Sequence, residues 1–72
     1  MSTGLESILT VNGDPMPLGE LGTVGALLSH LKVAPERVVV ELNGVIYHRG
    51  KGLDQKLGGG DVVEIVHFVG GG

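Results

Sequence analysis

The chain has no cysteine and no tryptophan, and only one tyrosine and one phenylalanine. Without thiols there is no disulfide framework, no thiolate metal site and no cysteine nucleophile. The absence leaves the redox compartment open, although a small secreted domain would ordinarily be stapled. With so few aromatics, burial must come from Val, Leu and Ile. Basic clusters are missing too: five Lys and Arg stand against eight Asp and Glu, for a net charge of −3. Nucleic-acid binding needs phosphate-neutralising side chains gathered on one face and is not expected. No apolar run approaches the roughly 20 residues of a membrane span. The N-terminal MSTGLESILT lacks the basic and apolar regions of a secretory signal. The expectation is a soluble cytoplasmic protein with no membrane partner.

Familiar catalytic patterns are also lacking. His30, His48 and His67 share no metal-ligand spacing. Gly58-Gly59-Gly60 is followed by neither Lys-Ser/Thr nor a helix start, so it reads as a turn and not a phosphate loop. No Ser or Thr has a base beside it in a recognisable motif. The sequence therefore predicts no metal site, no bound cofactor and no catalytic residue. Arg49 and Lys51 read as solvated loop charges, with steering of an acidic partner as the alternative.

What is present is one small domain with a thin core. Met1 to Glu6 form a loose start. Ser7 to Asn12 alternates and is β-branched, which predicts a strand with Leu9 and Val11 inward and Ile8 and Thr10 outward. Asn12-Gly13-Asp14 is turn chemistry. Pro15 to Leu18 returns as an edge strand, since its prolines cannot donate to a ladder. Thr23 is placed to cap a helix. Val24, Leu27, Leu28 and Leu31 follow at i, i+3, i+4 and i+7, the stripe of an amphipathic helix, with Gly25, Ala26, Ser29 and His30 on the opposite face. Pro35 lies beyond its end. Val38 to Leu42 and Val45 to His48 flank Asn43-Gly44, a strong two-residue hairpin signal. Arg49 to Gly60 is polar and glycine-rich, with Leu53 and Leu57 as anchors around a short helical turn. Asp61 to Val69 is the last strand and the most apolar, which favours a central position. The order β-β-α-β-β-β predicts an α+β, β-grasp (ubiquitin-like) domain over residues 1–69: a mixed four- to five-stranded sheet with one helix across one face. Gly70 to Gly72 form a flexible tail.

Period two divides the last strand into Val63, Ile65, His67, Val69 and Val62, Glu64, Val66, Phe68. Burying an unpaired carboxylate costs several kcal/mol, so Glu64 and its set face outward. The same reasoning turns Val39 and Glu41 outward in Val38 to Leu42. Val39, Val62, Glu64, Val66 and Phe68 are then candidates for a partner-binding face. His67 has core-side parity but lies near the strand end, which predicts partial exposure.

The stretches Glu41 to Ile46 (ELNGVI) and Gly59 to Gly72 (GGDVVEIVHFVGGG), on a chain this short, resemble the ThiS family of sulfur carriers of thiamine thiazole synthesis. The resemblance runs from the first strand to the tail. Tyr47 to Leu57 departs from the pattern of many members, with only Arg49 matching. The resemblance implies a carrier, not an enzyme. A ThiF-like enzyme would adenylate the Gly72 carboxylate using ATP. A persulfide donor would convert the adenylate to a thiocarboxylate, and a ThiG-like thiazole synthase would receive the sulfur. Gly70 and Gly71 would thread the partner's site, because glycine reaches backbone conformations closed to other residues. Terminal Gly-Gly also occurs in the small subunit of molybdopterin synthase and in ubiquitin-like modifiers. Three alternatives therefore stand: a molybdopterin sulfur carrier, a protein modifier and an inert β-grasp interaction module.

Overall fold

Two hairpins, each closed by an Asn-Gly pair, frame the sheet. In the computed structural model, which describes residues 7–68, both Asn12 and Asn43 have φ of 51°, and Gly13 and Gly44 have φ of 86° and 89°. Positive φ at both central positions is the two-residue turn that matches strand twist. The first turn joins β1 (Ile8–Val11) to β2 (Asp14–Pro17), with Val11 opposite Asp14. The second joins β3 (Val38–Leu42) to β4 (Val45–Tyr47), with Leu42 opposite Val45. The loose start at residues 1–6, Val69 and the glycine tail at 70–72 lie outside the described residues.

The one α-helix among the described residues, α1 (Val24–His30), begins at Thr23, whose hydroxyl accepts from the Ala26 N–H at 3.1 Å. Its end is a Schellman motif. The Val33 N–H reaches the Leu28 carbonyl and the Lys32 N–H reaches the Ser29 carbonyl, with Lys32 at φ 60°. Val24, Leu27 and Leu28 are buried and Leu31 is half-buried, so the apolar stripe is the buried face. The opposite face is only partly free. The Gly25 N–H donates to the Leu53 carbonyl at 2.8 Å, and a Cβ at Gly25 would stand 3.1 Å from that oxygen. The Val24 N–H donates to the Gln55 carbonyl at 3.0 Å. Gly25 and Ala26 are thereby half-buried, where the sequence pattern placed them outside.

The segment expected to hold a short helical turn instead contains a β-turn, with the Gln55 N–H bonded to the Gly52 carbonyl. Gly50 and Gly52 both have φ of 69°, which interrupts any right-handed helical run. A side chain at Gly52 would overlap the Tyr47 ring. Leu57 is buried and Leu53 half-buried, so the two anchors hold their places. A single 3-10 turn, Pro35–Arg37, leads into β3.

The last strand, β5 (Val62–His67), lies in the middle of a five-stranded sheet ordered β2-β1-β5-β3-β4. It is parallel to β1 and antiparallel to β3. The central position of β5 and the edge position of the proline-bearing β2 are the expected ones, whereas the strand that follows the helix, β3, pairs only antiparallel, with β4 and β5. Leu9, Val11, Val38, Val40, Leu42, Leu57, Val63 and Ile65 form one buried cluster with the helix residues. This is a β-grasp arrangement with one sheet face covered by the helix.

The two turn asparagines also hold β5. The Val62 N–H donates to Asn43 Oδ1 at 2.8 Å, and the Ile65 N–H donates to Asn12 Oδ1 at 2.7 Å. Asn43 Nδ2 reaches Asp61, whose other oxygen accepts from the Gly58 N–H. The β1–β5 ladder covers only Thr10–Val62 and Val11–Val63, so the Asn12 side chain extends it by one bond. Replacing Asn12 with Gly keeps the turn but leaves a partly buried N–H without its partner. The expected loss is about 1–2 kcal/mol in urea unfolding at unchanged m-value. Asn12→Asp, which keeps an acceptor and tolerates the turn geometry, should recover most of it.

Candidate functional site

The candidate site is the sheet face that no described element covers, together with the end of β5 that precedes the glycine tail in sequence. Its form follows from burial. Val63 and Ile65 turn toward the helix and are buried. Their neighbours Val62, Glu64 and Val66 must then turn away. Val66 is 60% exposed and Val62 is also exposed, whereas Glu64 is half-buried. Val39 lies opposite Val66 on β3 and is half-buried. The outward set predicted from alternation is thus on one face.

Strand register adds residues that the sequence pattern did not collect into a site. Glu41 stands opposite Glu64, and Ile46 stands opposite Glu41, so the three form a row across β5, β3 and β4. Ile46 is 54% exposed. Ile8, with outward parity on β1, is exposed too. Ile46 could have been found by carrying the hairpin register back across Asn43-Gly44. The face therefore presents Ile8, Val62, Val66 and Ile46 around a pair of glutamates. Exposed apolar side chains gathered on an uncovered sheet face mark a partner surface more readily than the same residues scattered singly.

Phe68 lies one residue past β5 and is exposed. Its N–H donates to the Arg37 carbonyl at 3.0 Å, which continues the β3–β5 pairing. The Arg49 guanidinium stands over its ring, 4.7 Å from the centroid. Such a contact contributes roughly 0.5–1 kcal/mol at an exposed site. Arg49 is therefore not merely a solvated loop charge: it stacks on the last described residue before the tail. Nothing in the local pattern signals this, because the two residues meet only through the sheet. His67 is exposed, further out than its core-side parity alone would place it.

Gly70, Gly71 and Gly72, the expected chemical end of the chain, lie outside the described residues. Among the described residues no group of three or more His, Asp or Glu side chains gathers as a metal ion would require. Among the same residues no helix is long and apolar enough to cross a membrane. A shallow groove lined by Met16, Leu18, Leu21 and His30 lies beside β2, on segments apart from the end of β5.

The facing pair Glu41 and Glu64 is unfavourable for the fold, since like charges directly opposite on neighbouring strands cost roughly 0.2–1 kcal/mol. Glu64→Gln should therefore stabilise the domain by a few tenths of a kcal/mol at low salt. The gain should shrink as salt screens the pair. Urea unfolding at two ionic strengths checks both signs.

The family model of ThiS matches residues 9–72, from the first strand through the tail. A solved ThiS thiamine biosynthesis protein from Geobacter metallireducens is 44% identical, with a TM-score of 0.70 over 90% of this chain and 99% of its own. A thiazole synthase from Magnetococcus marinus is 40% identical over 62 residues, which is 86% of this chain. The chain spans only 19% of that protein's length. A family match over nearly the whole chain, a solved relative of the same extent and the β-grasp topology agree: this chain belongs to the ThiS family.

Proposed function

We propose that the chain is a sulfur carrier for assembly of the thiazole ring of thiamine, and that its partners perform the catalysis. The observation that carries this reading is the family match, which extends through the glycine tail to residue 72. The Magnetococcus marinus thiazole synthase supports the identity of the recipient, since one polypeptide of that name includes a stretch like this chain. The recipient is then a ThiG-like thiazole synthase.

The proposed chemistry takes place at the Gly72 carboxylate. A carboxylate is ionised at neutral pH and is a poor acylating group. In the active site of a ThiF-like enzyme, a carboxylate oxygen attacks the α-phosphorus of ATP and pyrophosphate leaves. The product is an acyl-adenylate. The terminal sulfur of a protein persulfide then attacks the acyl carbon and AMP leaves. A thiol then attacks the donor-side sulfur of the resulting acyl disulfide, forming a disulfide with the donor and releasing the carrier as a thiocarboxylate. Its sulfur is nucleophilic and is passed to the thiazole precursor. ATP is consumed by the partner and no cofactor is needed on the carrier.

The division of labour follows from the sequence. Gly70, Gly71 and Gly72 have no side chains to block entry into a narrow site. Ordering such a tail costs about 1–2 kcal/mol per residue. Docking of Val39, Val62, Glu64, Val66 and Phe68 offsets that cost.

Intact mass spectrometry tests the reading. The chain is incubated with ATP, a ThiF-like enzyme and a persulfide donor. The expected result is a mass increase equal to replacement of one oxygen by sulfur, dependent on ATP. Higher-mass covalent conjugates would assign the chain as a modifier instead. An unchanged mass would leave it an interaction module. A ThiG-like synthase, and no molybdopterin-forming enzyme, should return the thiocarboxylate to the original mass.

A further inference from the structure

The end of the sheet from which the tail continues carries charge opposite to that of the chain as a whole. Eight Asp and Glu outnumber five Lys and Arg, yet three of those five, Arg37, Arg49 and Lys51, belong to segments that converge where β5 ends. Val38 pairs with His67, so Arg37 stands beside Phe68. Tyr47 pairs with Val40, which brings the following turn, His48 to Lys51, to the same end. The Gly50 N–H then bonds to the Pro35 carbonyl at 3.1 Å, tying that turn to the one before β3. Arg37, His48, Arg49, Lys51 and His67 are all exposed. Glu36 is the one acidic residue in these converging segments. Asp61 lies before the opposite end of β5, and Glu41 and Glu64 lie along the open face. Among the described residues none of the three cations is held in an ion pair.

Arg49 is also pre-set for recognition. Stacking on the Phe68 ring at 4.7 Å restrains its long side chain through one guanidinium face. Among the described residues nothing bonds the N–H donors at the guanidinium edge, and their fork geometry suits a carboxylate.

We propose that this cationic rim is a docking surface for a carboxylate-bearing protein surface around the opening through which the adenylating partner admits the glycine arm. The proposal rests on the carrier reading above and is separate from the apolar open face. Its physical role is steering. A short arm must find a narrow entrance, and opposite charge around arm and entrance raises the rate of productive encounter. A nucleic-acid backbone suits the surface less well, because Glu36 lies within the rim's own segments and Glu41 and Glu64 lie on the adjoining open face.

The test is ATP–pyrophosphate exchange by the ThiF-like enzyme with wild-type chain, Arg37→Glu/Arg49→Glu, Arg49→Lys and Lys51→Glu, each at low and near-physiological salt. For the wild type, KM should rise with salt. The double reversal should raise KM about tenfold or more at unchanged kcat and lose most of the salt dependence. Arg49→Lys, which keeps the charge but not the fork, should fall between them. Lys51→Glu lies in an exposed turn and reports on the rim should the double variant fail to fold. A KM and salt dependence unchanged by charge reversal would overturn the rim while leaving the carrier reading intact. Tighter binding of duplex DNA than of the enzyme would also overturn it. No exchange with the wild type would remove the carrier reading and the rim together.

Discussion

The structure depends on where one strand is held. β5 sits between β1 and β3, and each neighbour pairs with it in a different sense. That position gives it a buried face of Val63 and Ile65 and an open face of Val62, Glu64 and Val66. It also places Phe68, the last described residue, beside Arg37 at one end of the sheet. The placement is secured by more than the ladders, because Asn12 and Asn43 each turn a side-chain oxygen onto a β5 N–H. The two residues that set the hairpin turns therefore also lock the strand that carries the tail. Turn chemistry and sheet register are coupled through those two asparagines.

The open face is less stable than it could be. Glu41 opposes Glu64, and several aliphatic side chains meet solvent around them. Neither feature helps an isolated domain, since facing like charges repel and exposed apolar area gains nothing from water. Both features suit a surface that is covered during each transfer. In the proposed cycle the carrier must dock on at least two partners and leave each of them. A modest apolar patch with polar groups inside it favours such transient contacts over permanent ones.

Local chemistry made the frame readable from sequence. Asn-Gly pairs demanded positive φ, the Val24-to-Leu31 stripe demanded a helix, and the carboxylate of Glu64 settled which side of the last strand faces out. The strongly apolar composition of Val62 to Phe68 pointed to the centre of the sheet. What could not be read depends on segments that meet only in three dimensions. The Gly25–Leu53 approach buries a helix face that looked free. The Arg49–Phe68 stack joins residues that lie far apart in the chain. The glycines at 50 and 52 replace the expected helical turn by backbone geometry that no periodicity reveals. Alternation within each strand was likewise insufficient to gather Ile46 and Glu41 into a site, because their meeting is a property of register between strands.

The central claim is that the folded sheet recognises partners while the Gly72 carboxylate alone carries the chemistry. It is tested most directly by a variant extended by one residue after Gly72. Affinity for the ThiF-like enzyme and ATP–pyrophosphate exchange are measured on the same preparation. The account expects affinity close to that of the unextended chain and exchange reduced to background. Normal exchange by the extended chain would contradict it, as would loss of affinity together with exchange.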